Sequence, residues 1–156
     1  MWISLFDFVN MTAIVAWVIL AFLPRKPLLL SMVLYLGVGM LCVIYAVGLI
    51  GIMSGAFDPV GPVDTAVDFT TLGGVRSIFA SQGGTVVGWT HYLAFDLFVG
   101  LWIARDADQK GVGRLWQLPI LAATFLAGPI GLAVWLLGRE KFRGPRTTPS
   151  PLKSFR

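Results

Sequence analysis

Residues 2–53 read WISLFDFVNMTAIVAWVILAFL-PRKP-LLLSMVLYLGVGMLCVIYAVGLIGIM, two predominantly apolar runs parted by Pro24, Arg25, Lys26 and Pro27. A helix needs about 20 apolar residues to cross the hydrocarbon of a bilayer, and each run is long enough. The abrupt proline-bearing flank marks the end of the first. That first run has no basic residue before it, exceeds the usual core of a secretory signal and lacks a small-x-small cleavage site, so it reads as a retained spanning helix. The second exceeds what the hydrocarbon requires, which implies tilt or extension into the headgroups. It carries Gly48, Gly51 and Gly55 on adjacent turns, a pattern that more often permits close helix packing than ligand binding, as does Gly84/Gly88.

A third run covers about 86–104 and ends in Arg105, Asp106, Asp108 and Lys110, and a fourth covers 115–137 with Pro119, Gly128, Pro129 and Gly131 inside it. Proline removes a backbone donor and kinks a spanning helix unless neighbours repair the gap. Between the second and third runs, polar residues and glycines break any span, yet Phe57, Val67, Phe69, Leu72, Ile78 and Phe79 are retained. A short interfacial helix around 63–80 is expected there. The expected fold is all-α: a polytopic membrane bundle of four transmembrane helices, about 2–23, 28–53, 86–104 and 115–137, plus that interfacial helix. It forms one domain over 1–138, followed by a basic, disordered tail at 139–156.

Composition agrees. Of 156 residues, 56% are hydrophobic and 13% charged, with a mean hydropathy of +0.80, whereas soluble domains carry about 25% charge. The net charge of +4 resolves on counting: residues 139–156 hold six basic side chains and one acid, and the other 138 residues hold six basic and seven acidic. The basic excess therefore suits anionic headgroups rather than nucleic acid, which needs a basic face on a folded element. With four crossings, the basic residues divide five against seven between the two faces, a slight lean toward a cytosolic C-terminus. The expected setting is a multi-pass protein of a bacterial inner membrane. Membrane lipids and a hydrophobic small molecule are its expected partners, alone or as a homo-oligomer or complex subunit.

One cysteine, Cys42, and one histidine, His91, exclude an intramolecular disulfide, thiolate clusters and multi-histidine metal sites. Phosphate-binding, dinucleotide-binding, serine-hydrolase and zincin motifs are absent from the chain, so no cofactor is expected. What remains is Asp96, midway along the third run. A charged carboxylate at that depth costs about 2.5 kcal/mol or more, so it is protonated, paired or facing a polar cavity. Such a group is suited to general acid or base work, the reading favoured here because intramembrane ionisable residues mark sites, over a hydrogen bond that only ties helices together. Tyr92 lies one turn before Asp96 on the same face, while His91 lies about 140° away on an ideal wheel. His91 reads as an interfacial ring or a catalytic one, with a haem-ligand role less favoured because only Met or Tyr is left to complete the axial pair. Asp7 and Asn10, three residues apart on the first helix, either hydrogen-bond to the third helix and complete a polar pocket, or Asp7 simply sits in the headgroup region, the reading favoured for a residue so near the chain start. The six tryptophans, Trp89 among them, mostly fall near expected helix ends, as an interfacial belt does.

The stretch Trp89-Thr-His-Tyr-Leu-Ala-Phe-Asp96-Leu-Phe-Val-Gly100, with Trp102, Arg105-Asp106 and Gly128-Pro129-Ile-Gly131, resembles the four-helix membrane family of the abscisic-acid-deficient type, whose plant members are tied to neoxanthin synthesis. The resemblance covers about residues 69–138. It implies a carotenoid substrate and an isomerisation: proton donation to an epoxide oxygen and proton removal from the adjacent polyene carbon, without redox change. Under it, Asp96 is the acid or base, His91 and Tyr92 are donors or orienting groups, and Asp7, Asn10 and Trp89 line or support the site. The competing expectation is a non-enzymatic subunit or assembly factor of a pigment or electron-transport complex.

Overall fold

The computed structural model describes residues 1–58 and 69–142, and every regular element among them is helical. Helix α1 (Trp2–Phe22) is followed by α2 (Pro27–Met53), which opens on proline, whose missing donor costs nothing at a helix start. A stretch of α2, Val33–Gly39, winds as a π-helix, and Gly37 within it lies against Ala16 and Leu97. A short helix α3 (Leu72–Ile78) follows, capped by Thr71, whose Oγ1 accepts from the Gly74 N–H. Helix α4 (Gln82–Gln109) is capped in the same way by Ser81 on Gly84.

Helices α1, α2 and α4, of 21, 27 and 28 residues, are long and apolar enough to cross a membrane. Their outward faces carry large exposed side chains such as Ile3, Phe22, Tyr35 and Ile50, an apolar exterior suited to lipid. Helix α4 is central. Its buried face, including Leu93, Leu97, Leu101 and Ile103, shares a core with Val9, Ala13 and Leu20 of α1 and Val33 and Leu41 of α2. Gly100 matters here because a Cβ would meet the ring of Trp17.

The fourth apolar run departs from expectation. It is not one spanning helix but two, α5 (Arg114–Leu126) and α6 (Gly128–Gly138), broken at Ala127, which adopts φ −159°, ψ 85°. Their 13 and 11 residues give about 20 and 17 Å, short of the roughly 30 Å of a hydrocarbon core. Contacts with α4 fix their course. Gln117, near the start of α5, bonds to Asp108 at the end of α4, and Leu126, at the end of α5, bonds to Tyr92 in its first half. Helix α6 starts against Asp96 and ends with Trp135 and Arg139 on Asp106. The run is therefore a helical hairpin that enters the bundle, turns at Ala127 and returns to the end from which it came. The cause is local. Pro129 cannot donate to Phe125 and is favoured in the first turn of a new helix, so the chain stops and restarts there. Pro119, by contrast, is absorbed within α5.

Two further expectations are adjusted. A helix exists in the connection, but at Leu72–Ile78, and residues 63–68 of the anticipated span lie outside the described residues. The tail does not begin at Arg139: Arg139–Lys141 form a 3-10 turn, Arg139 pairs with Asp106 at 3.0 Å and Phe142 stacks on Trp135. Residues 143–156 lie outside the described residues. Trp17 and Trp135 are buried in the core rather than placed in an interfacial belt.

Candidate functional site

The break at the hairpin turn takes backbone groups out of the helical ladder, and two of them find partners on α4. In a continuous helix the Leu126 carbonyl accepts from residue 130, but the Ile130 N–H goes to Ala127 instead. The N–H of Gly128, at the start of α6, likewise has no partner within its own helix. Both are satisfied from α4. The Tyr92 hydroxyl donates to the Leu126 carbonyl at 2.9 Å, and the Gly128 N–H donates to Asp96 Oδ2 at 3.2 Å. Residue 128 must be glycine for this approach, since a Cβ would collide with the Asp96 carboxyl. The carboxyl also sits at the N-terminus of α6, whose aligned peptide dipoles favour negative charge.

Tyr92 and Asp96 stand one turn apart on the same face of α4, so the two side chains are neighbours beside the hairpin turn, where the hydroxyl bonds to Leu126 and the carboxyl to Gly128. Asp96, 7% exposed, is the one buried acid among the described residues. Tyr92 is half-buried and stands outside it. Trp89 stacks on Tyr92 with ring centres 5.1 Å apart, and its indole N–H donates to Asn10 Oδ1 at 3.0 Å. Asn10 in turn donates to the Phe6 carbonyl at 2.7 Å, and the Phe6 ring lies 6.3 Å from Trp89. A row of Phe6, Trp89 and Tyr92 thus runs along the seam between α1 and α4 and ends at Asp96.

Four of the six anticipated site residues, Asp96, Tyr92, Trp89 and Asn10, therefore come together. His91 does not join them: its ring faces α2, 5.1 Å from Tyr45, and lies 4.6 Å from Phe95. Asp7 is exposed near the start of α1. Sequence reasoning missed the backbone partners at Leu126 and Gly128, although Gly128-Pro129 inside an apolar run was a sign of a broken helix.

A second polar cluster pins the open end of the hairpin. The guanidinium of Arg25, its side chain 7% exposed, donates to Asp108 at 2.7 Å, to the Ala104 carbonyl at 2.9 Å and to Gln117. Gln117 is fully buried and donates to Asp108 and to the Val112 carbonyl. Asp106 accepts from both the Trp135 indole at 2.9 Å and Arg139 at 3.0 Å, and Arg139 lies over the Trp102 ring. Arg114 donates to the Leu23 carbonyl. These groups hold one another, whereas at the hairpin turn the half-buried Tyr92 stands beside the buried Asp96 carboxyl, a phenol and a carboxyl of the kind that can exchange protons.

No curated protein and no solved structure matches the chain. A family model described as ABA DEFICIENT 4-like matches residues 4–135, from the first turns of α1 to Trp135 in α6, and so takes in Asn10, Trp89, Tyr92, Asp96 and Gly128. By that match the chain, a membrane protein with three helices long and apolar enough to span, belongs to the ABA DEFICIENT 4-like family.

Proposed function

We propose that the protein isomerises an oxygenated carotenoid by proton transfer through Tyr92 and Asp96, without a redox cofactor. The observation that carries this reading is the buried Asp96 carboxyl behind the half-buried Tyr92 hydroxyl at the hairpin turn. Family membership supports it. For an epoxy end ring the step balances internally. A proton goes to the epoxide oxygen as its carbon–oxygen bond on the chain side breaks, and the oxygen stays as a hydroxyl. A proton leaves the adjacent polyene carbon, and its bonding pair becomes the second of two cumulated double bonds. One proton enters and one leaves, so a carboxyl–phenol pair that gives one and regains the other suffices. General acid–base groups of this kind are worth roughly 10²–10⁴-fold in rate.

A second reading rests on a specific observation too: Asp96 and Tyr92 both satisfy the orphaned groups of the hairpin, as struts in a non-enzymatic subunit of a pigment complex would. The test is expression in carotenoid-producing hosts of several backgrounds with pigment analysis. Appearance of an isomer of a resident xanthophyll, equal in mass and shifted in absorption, supports the enzyme. An unchanged pigment profile in every background rejects it.

In this reading three helices cross the bilayer and the α5–α6 hairpin is re-entrant, so the C-terminal end of α6 shares a face with the 24–27 and 105–114 connections. Seven of the eight described basic residues then lie on that face, and Arg76 alone on the other. By the positive-inside rule that face is cytosolic. The hairpin removes the nearly even division of basic charge that four crossings impose.

A further inference from the structure

The hairpin covers only half of the α1/α4 seam. Phe125 reaches Trp17 with ring centres 5.6 Å apart and Leu126 reaches Tyr92, both near the turn. Beyond that point, toward the N-terminal end of the bundle, Asn10 is half-buried and Phe6 and Trp89 are each 39% exposed. The same surface continues into a cleft of about 310 Å³ lined by Trp2, Ile3, Phe6, Gln82 and Thr85 among others. From Asp96 to Gln82 the seam runs fourteen residues along α4, about 21 Å. It is closed at one end by the hairpin, which Arg25 and Asp106 anchor, and is open at the other.

We propose that this open half-seam is the bay through which the isoprenoid enters and binds, from the leaflet on the N-terminal side. The oxygen-bearing end group lies inward against Tyr92 and Asp96, and the hydrocarbon lies along Trp89 and Phe6. The proposal rests on the reading of Asp96 as the reacting site. Its polarity follows from where the partners are: the hydroxyl and the carboxyl stand at the closed end, so an oxygen there is paired, while the aromatic faces along the wall suit a flat polyene. The wider apolar groove between α2 and α4, about 420 Å³ and lined by Tyr35, Cys42, Phe95 and Phe98 among others, offers no polar group among its lining residues to hold such an oxygen, apart from the Tyr35 phenol and the Cys42 thiol, both exposed.

The test uses the purified full chain in detergent with two probes, a diepoxy-xanthophyll and β-carotene, read by circular dichroism induced in the visible bands of the polyene. Asn10→Trp fills the bay, Thr85→Trp narrows its open end and provides a second variant if the first does not fold, and Cys42→Trp fills the α2/α4 groove as a control. An induced band with the xanthophyll but not with β-carotene, lost at least tenfold in Asn10→Trp or Thr85→Trp and kept in Cys42→Trp, is the expected result. No band with the intact chain, an equal band with β-carotene, or loss only in Cys42→Trp overturns the bay. Pigment conversion in a producing host separates the two ideas: conversion undiminished in a folded Asn10→Trp protein rejects the bay and leaves the reaction standing, whereas a bay-dependent band without conversion rejects the reaction and leaves the bay.

Discussion

Tyr92 holds the hairpin turn and, in the proposed reaction, passes a proton, and a single substitution divides the two. Removing its hydroxyl in Tyr92→Phe deprives the Leu126 carbonyl of its 2.9 Å donor, at a cost of about 1 kcal/mol. In the proposed reaction it also takes away one of the two proton-transferring groups, so conversion of pigment is expected to fall on the order of 10²-fold. A thermal melt and a pigment assay on the same variant read the two effects separately, and a loss of stability with full conversion would assign Tyr92 to structure alone. His91 provides the contrast. Its ring packs between Tyr45 and Phe95 on the side facing α2, so His91→Phe is expected to keep conversion within about twofold, the change of aromatic ring leaving the Tyr92–Asp96 pair untouched. A loss as large as that of Tyr92→Phe would bring His91 into the site. The heptad-independent 100° per residue of an α-helix already separated His91 from Asp96 in the sequence and joined Tyr92 to it. A bond from Asn10 to the third apolar run is one of two readings of the sequence, but its partner there, Trp89, is not legible, because it depends on how α1 lies against α4.

At the scale of elements, the hairpin is where sequence reading and structure part. Length and hydropathy made 115–137 one crossing, and by those measures it is indistinguishable from a true span. The break is written in Gly128-Pro129, yet prolines occur within continuous helices too, and Pro119 in α5 is such a case. What decides between kink and turn is a partner for the freed backbone groups, and those partners, Tyr92 and Asp96, are more than thirty residues away in sequence. Gly128→Ala places a methyl against the Asp96 carboxyl and is expected to cost about 1–3 kcal/mol, as overpacking does, seen as a lower melting midpoint. At the other end, Arg25→Gln leaves Asp108 and the Ala104 carbonyl without their cation, with an expected cost of about 2–3 kcal/mol for hydrogen bonds to a charged group. A melting midpoint unchanged in both variants would mean that the hairpin is not held as described.

For the whole molecule, the two topologies make opposite statements about one pair of positions. With four crossings, residues 80 and 141 share a face of the membrane, and with a re-entrant hairpin they lie on opposite faces. In a Cys42→Ser background, Ala80→Cys is expected to react with an impermeant maleimide on intact cells and Lys141→Cys only after permeabilisation. Equal labelling of both would restore the fourth crossing. All-helical, membrane-embedded character and the family were legible in residues 2–53 and in the stretch from Trp89 to Gly100, because apolar length and motif spacing are local properties. The chemistry proposed at Asp96 belongs to the assembled molecule, and Asp96→Asn probes it most directly, since asparagine keeps an acceptor for the Gly128 N–H but neither gives nor takes a proton as a carboxyl does. The measurement is the pigment profile of a carotenoid-producing host expressing the intact chain or Asp96→Asn, with the melting midpoint of each protein determined alongside. Conversion reduced at least about 10²-fold at a nearly unchanged midpoint is the result expected of a proton-transferring carboxyl, and full conversion by Asp96→Asn would contradict it.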